Sequence, residues 1–112
     1  MVVMKSLAVL CGLGMLSACA TLPIPVEADV ADGQKLFPEL TLDTLHAGYK
    51  VAKSNCSKCH AVRMPWSETT EDWPAYIKKM GAKAKLSDAD KDLVQQYMMS
   101  LSSGEGRERP KE

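Results

Sequence analysis

The sequence predicts an all-α domain of three main helices, set between a flexible N-terminal stretch and a charged tail. Three observations carry that reading. No segment alternates apolar and polar residues over the length of a strand. Three stretches between Leu42 and Leu101 place apolar residues at helical spacing. Each of these stretches is bounded by residues that cap or stop a helix. The formal net charge of the 112-residue chain is zero, so no basic surplus points to nucleic acid.

The first helix is expected from Leu42 to Asn55, capped by Asp43 or Thr44. Leu45, Tyr49, Ala52 and Cys56 share one face. The second is expected to start near Thr70-Glu71-Asp72. Pro74 is tolerated there, because N–H groups of a first turn lack partners in any case. Trp73, Tyr76, Ile77 and Met80 form its stripe, and Gly81 is a natural stop. The third starts at Ser87, with Asp90 three residues on as a short-armed capping box. Leu93, Val94, Tyr97 and Leu101 make its apolar face, and Ser102-Ser103-Gly104 ends it.

Cys56-Ser57-Lys58-Cys59-His60 follows the first helix. A C-x-x-C-H run is the attachment site of a c-type haem. Cys56 and Cys59 would add through sulfur to the two porphyrin vinyl groups, and His60 would turn its imidazole onto the iron as proximal ligand. Competing readings are weaker. Tetrahedral zinc needs four protein ligands, yet the only other histidine is His46, and Cys11 and Cys19 lie far upstream. A thioredoxin-like pair would sit near a βαβ pattern, and no strand-rich segment exists.

The N-terminus reads as an export signal. Lys5 supplies a positive start and Leu7 to Leu16 an apolar core, shorter than the roughly 20 residues of a membrane-spanning helix. Leu16-Ser17-Ala18-Cys19 resembles the lipobox of bacterial lipoproteins, which would make Cys19 the acylated mature N-terminus. An ordinary signal, cut near Ala18 or Ala20, is the alternative. With Cys11 in the signal, Cys19 on lipid, and Cys56 and Cys59 on haem, no cysteine is left for a disulfide. Pro23, Pro25 and Pro38, with an aperiodic stretch from Val26 to Gln34, read as a tether. The expected organisation is a lipoprotein signal peptide over 1–18, a lipidated N-terminus and flexible tether over 19–41, the folded domain over 42–103 and a disordered tail over 104–112. A domain of about 60 residues buries too little apolar surface to be secure alone, so the haem would complete its core.

Leu42 to Leu101 resembles the class I cytochromes c. The haem motif ends the first helix, and Gly48 stands eight residues before Cys56, where that family uses a small residue to let its terminal helices cross. The last helix carries Leu93-Val94 with Tyr97, like the family's aromatic-bearing terminal helix. A tryptophan helix ending in methionine, Trp73 to Met80, lies between them. The resemblance implies a small cytochrome c-like domain of three main helices around one covalent haem c, with a methionine sulfur as distal iron ligand. Of Met64, Met80, Met98 and Met99, Met80 is the best placed. Met64 follows His60 by four residues, whereas Met98 and Met99 lie inside the last helix. Met80 ends the second helix beside Gly81 and an Ala-Lys-Ala-Lys loop. A space-filling methionine, or a vacant or water-ligated sixth position, stays open, because the nineteen residues between His60 and Met80 are few for the family. His46 lies ten residues before Cys56, about 15 Å along the helix axis, and reads as a surface histidine.

Further residues support the site. The second ring nitrogen of His60 needs an acceptor, and the Met64 carbonyl beside Pro65 would serve. Arg63, Trp66 and Trp73 are expected haem contacts that neutralise or hydrogen-bond its propionates; otherwise they are a solvated arginine and core or rim tryptophans. Lys53, Lys58, Lys78, Lys79, Lys83 and Lys85 would ring an exposed haem edge, where the family's lysines often meet acidic partners.

Together these features lead to a non-enzymatic electron-transfer protein, a monohaem carrier anchored by lipid to a membrane and facing the periplasm. With Ala20 and no aspartate after Cys19, the outer membrane is preferred. Its partners would be periplasmic redox proteins, with no small-molecule substrate and no nucleic acid. Two other readings are a haem subunit of a larger periplasmic oxidoreductase and a gas-binding or sensing protein with an open sixth site.

Overall fold

The structure, a computed structural model, describes residues 22–55 and 63–104. The expected signal peptide, Cys11, Cys19, the motif residues Cys56, Lys58, Cys59 and His60, and the tail beyond Gly104 lie outside the described residues. Within them the chain is all-helical, with no strand. Four α-helices occur: α1 (Glu27–Gly33), α2 (Leu42–Ser54), α3 (Trp73–Lys83) and α4 (Asp88–Ser102), with a 3₁₀ turn at Pro65–Ser67. None of them is long and apolar enough to cross a membrane.

Helix α4 is the centre of the domain. The three other helices and the 3₁₀ turn all pack on it, and α1 also touches α2. Its N-terminus follows from Ser87, whose hydroxyl oxygen accepts a hydrogen bond from the Asp90 N–H at 3.1 Å. Acidic Asp88 and Asp90 sit in its first turn, where the helix dipole favours them. Val94, Tyr97, Met98 and Leu101 are buried along its core face.

The largest interface joins α2 and α4. Leu45 of α2 and Tyr97 of α4 are wholly buried within it, and Tyr49 lies against Tyr97 with ring centroids 5.9 Å apart. The crossing is close enough to exclude a side chain at Gly48. A Cβ there would overlap the Leu93 carbonyl oxygen and stand 2.8 Å from the Cβ of Tyr97. Helix α2 starts at Leu42 as expected, but its N-cap is Thr41, two or three residues before the expected Asp43 or Thr44, with its hydroxyl oxygen accepting from the Thr44 N–H at 3.2 Å.

The expected tether is a correction. Residues 22–41 hold α1 and contribute Leu22, Val30 and Leu40 to the core. Each such side chain contributes about 1.5–3 kcal/mol on leaving water. The prolines flank the helix instead of interrupting it. Buried Asp29 closes its first turn by accepting from the Val26 N–H at 2.8 Å. The Tyr97 hydroxyl donates to the Pro23 carbonyl at 2.6 Å, and the Gln34 side-chain amide donates to the Leu40 carbonyl at 3.0 Å. Gly33 crosses α4 at Ser100, so closely that a Cβ would meet the Ser100 side chain.

Gly81 does not stop α3. The helix runs on to Lys83 and ends in a Schellman turn, with the Leu86 N–H bonded to the Gly81 carbonyl at 2.9 Å and the Lys85 N–H to Ala82 at 3.2 Å. Lys85 takes the left-handed conformation that such a turn needs, with φ 59°. Gly81 serves a different purpose, since a Cβ there would stand 2.8 Å from Cγ of Lys91, whose stem crosses it.

Two substitutions test these contacts by urea unfolding. Gly48→Ala gains up to about 1 kcal/mol of helix propensity. Overpacking costs about 1–3 kcal/mol, and a backbone oxygen cannot rotate aside, so a net loss is expected. Lys85→Gly relieves about 1–2 kcal/mol of left-handed strain against roughly 0.4–1 kcal/mol of added unfolded-state entropy, so a net gain is expected.

Candidate functional site

Helices α2 and α3 both pack on α4, yet no Cα of one comes within 8 Å of a Cα of the other. Between them opens a wedge-shaped pocket, open to solvent, with a cavity of about 80 Å³. Val51, Ala52 and Asn55 form the α2 wall. Trp73, Tyr76, Ile77, Met80 and Gly81 form the α3 wall, and Ala84 and Leu86 follow from the turn after it. Val94 and Met98 of α4 make the floor, and Arg63 stands at the margin. No carboxylate is among these residues. The lining is that of an apolar slot, with an N–H or O–H side chain only at Asn55, Arg63, Trp73 and Tyr76.

The α3 wall is held rigidly. Trp73 is wholly buried, and its indole N–H donates to the Pro65 carbonyl at 2.8 Å. Tyr76 meets the Trp73 ring edge to face, with centroids 5.4 Å apart. The Arg63 guanidinium lies 5.2 Å from the centre of the Tyr76 ring and pairs with the Glu68 carboxylate at 2.8 Å. Asn55 closes the end of α2 by donating to the Val51 carbonyl at 2.7 Å.

Several expected site residues meet here and others do not. Met80 lies on the α3 wall, partly buried, and Arg63 borders the same pocket. Trp73 also lines it, but its N–H is already committed to Pro65, which corrects the expected propionate bond. Trp66 lies in the 3₁₀ turn and lines a separate polar groove with Thr69, Glu71 and Ser103. The Met64 carbonyl accepts twice within that turn, from the Ser67 N–H at 2.9 Å and the Ser67 hydroxyl at 2.7 Å. Its lone pairs are therefore occupied, which corrects its expected role as acceptor for His60. Met98 lines the pocket and Met99 does not. His46 is partly buried on α2, away from the pocket lining. Among the described residues, no group of three or more His, Cys, Asp or Glu side chains could hold a metal ion.

Sequence reasoning missed Asn55, Tyr76 and Met98 as pocket residues. Tyr76 was assigned to a packing face and Met98 was weighed only as an iron ligand inside the last helix; the splay of α2 from α3 makes them wall and floor. Asn55 had a legible signal: it directly precedes Cys56, and Arg63 follows His60 by three residues. Both ends of the chain that flank the C-x-x-C-H run therefore border this pocket.

The donors suit a flat, apolar, iron-bearing group. The walls are apolar, and a neutral thioether is available at Met80. The sequence joining Asn55 to Arg63 supplies two thiols and an imidazole. Compared with known protein families, curated proteins and solved structures, the chain matches none.

Proposed function

We propose that the chain is a monohaem c-type cytochrome of the class I kind, anchored by lipid to a membrane on its periplasmic side, that passes single electrons between redox proteins. One observation carries this reading: the C-x-x-C-H sequence is spliced between two residues that border an apolar wedge, and Met80 lies on the wall opposite α2. Cys56 and Cys59 would hold the haem through thioethers, and His60 and Met80 would supply the nitrogen and sulfur ligands of its iron. Haem c, when bound, supplies a one-electron iron couple whose potential is set by axial ligands, burial and hydrogen bonds.

The chain's own residues set those conditions. Ile77, Val94 and Met98 give the slot an apolar wall and floor. Trp73 is locked to Pro65, so the α3 wall that bears Met80 is fixed at its N-terminal end. The Arg63 guanidinium, partly exposed at the margin, is a cation for an acidic group of the cofactor, with Glu68 and the Tyr76 ring orienting it. Lys78, Lys79, Lys83 and Lys85 are exposed on or just after α3, and none joins an ion pair among the described residues. They form a basic surface beside the pocket, suited to acidic redox partners.

Two experiments test the reading. The protein isolated from periplasmic membranes is expected to retain haem through denaturing electrophoresis and to lose it in the Cys56→Ser, Cys59→Ser double variant. A wild-type chain free of covalent haem would refute the assignment. In Met80→His, the reduction potential should fall and the weak sulfur-to-iron band at the red end of the oxidised spectrum should vanish. An unchanged spectrum and potential would remove Met80 from the iron.

A further inference from the structure

We propose that the lipid-bearing N-terminus holds the α1 side of the domain against the bilayer surface and turns the wedge away from it. This rests on the lipid-anchor part of the function proposed above. Only Ala20 and Thr21 separate Cys19 from Leu22. Three residue steps span about 10 Å even when fully extended. Leu22 is 8% exposed and belongs to the core, and the next carbonyl, that of Pro23, is held by the hydroxyl of wholly buried Tyr97. The leash therefore ends at Leu22, not at Leu42. A compact unit of the 76 described residues has a radius of gyration of about 11 Å and a radius near 15 Å. A leash shorter than that radius does not let the domain turn over.

The surface next to the leash suits a lipid boundary. Among the described residues the exposed large apolar side chains are Ile24, Val26 and Leu36, which are 59%, 49% and 41% exposed. All three fall in the fifteen residues after Leu22. Single exposed apolar residues are ordinary on a soluble surface, but here the helices that build the wedge present none. The exposed charges nearby, Glu27, Lys35 and Glu39, are mixed in sign, so the contact is apolar, to zwitterionic lipid, and not an electrostatic one. No residue of 22–41 lines the wedge, and α1 packs on α4 and α2 but not on α3. Membrane contact at α1 thus leaves the wedge and the α3 lysines facing water.

Photocrosslinking of the full mature protein in phosphatidylcholine vesicles tests this. Benzoylphenylalanine replaces Val26, Leu36 or, as the distant control, Lys79, and intact mass reports both N-terminal acylation and lipid adducts. The expected result is an acylated Cys19 with lipid adducts several-fold more abundant at Val26 and Leu36 than at Lys79, at low and high salt alike. A flexible insert of about twelve Gly and Ser residues after Ala20, reaching roughly 20 Å, should bring the first two down to the level of the third. Equal adducts at all three positions on an acylated chain would overturn the orientation and leave the anchor standing. A mature N-terminus without acyl chains would overturn the anchor and the orientation together.

Discussion

The crossing of α2 over α4 at Gly48 sets the geometry of everything else. With no side chain at that point, the two helices approach until Gly48 meets the backbone of Leu93, and Tyr97 is sealed beneath Tyr49. That contact fixes the direction in which α2 leaves α4. Val51, Ala52 and Asn55 are carried away from the crossing and become one wall of the wedge. Helix α3 is secured independently, through Trp73 to Pro65 at one end and Gly81 under Lys91 at the other. The pocket is the space left by two helices that share a partner while their axes stay apart.

Close packing of this kind lets a small domain hold an open apolar slot. Interiors tolerate few voids, and a slot between helices would close if its walls were free to lean together. Here each wall is held from behind. On the α3 side, an indole hydrogen bond and an edge-to-face aromatic contact keep Trp73 and Tyr76 in place. On the α2 side, the glycine crossing does so. The N-terminal segment reinforces α4 from the opposite face, so the helix that carries the floor is packed on several sides.

Much of this was legible in the sequence wherever the signal was local. The Ser87 cap and the Val94, Tyr97, Leu101 stripe lie within one helix, and periodicity found them. Gly48 was legible through the resemblance, which implies a small residue eight positions before Cys56 where two helices cross. Other features depend on distant contacts. Helix α1 has only seven residues, too few for a periodic stripe, and it is held by Tyr97 reaching Pro23 across 74 positions. The indole partner of Trp73 is a carbonyl presented by the 3₁₀ turn, which no pattern announced. Gly81 looked like a stop because glycine usually ends helices; its small size is spent on Lys91 instead, and a strained Lys85 takes over the turn. Of the candidate site, Met80 and Arg63 were readable and Asn55 had a signal in its place before Cys56, whereas the roles of Tyr76 as wall and Met98 as floor depend on the splay of the helices.

The bond between Tyr97 and Pro23 also bears on how the chain can be extended. Gly104 lies beside Asp32 at the end of α1, so close that a Cβ there would stand 3.0 Å from its carboxylate. Tyr97 and Gly104 are seven residues apart, roughly 10 Å along the line of α4. The two ends of the described fold therefore emerge on the same side of the molecule. A short connector could join them, and a permuted chain opened in the loop between α3 and α4 would keep the Gly48 crossing intact. A reporter fused after Gly104 would begin near α1, leaving the mouth of the wedge clear.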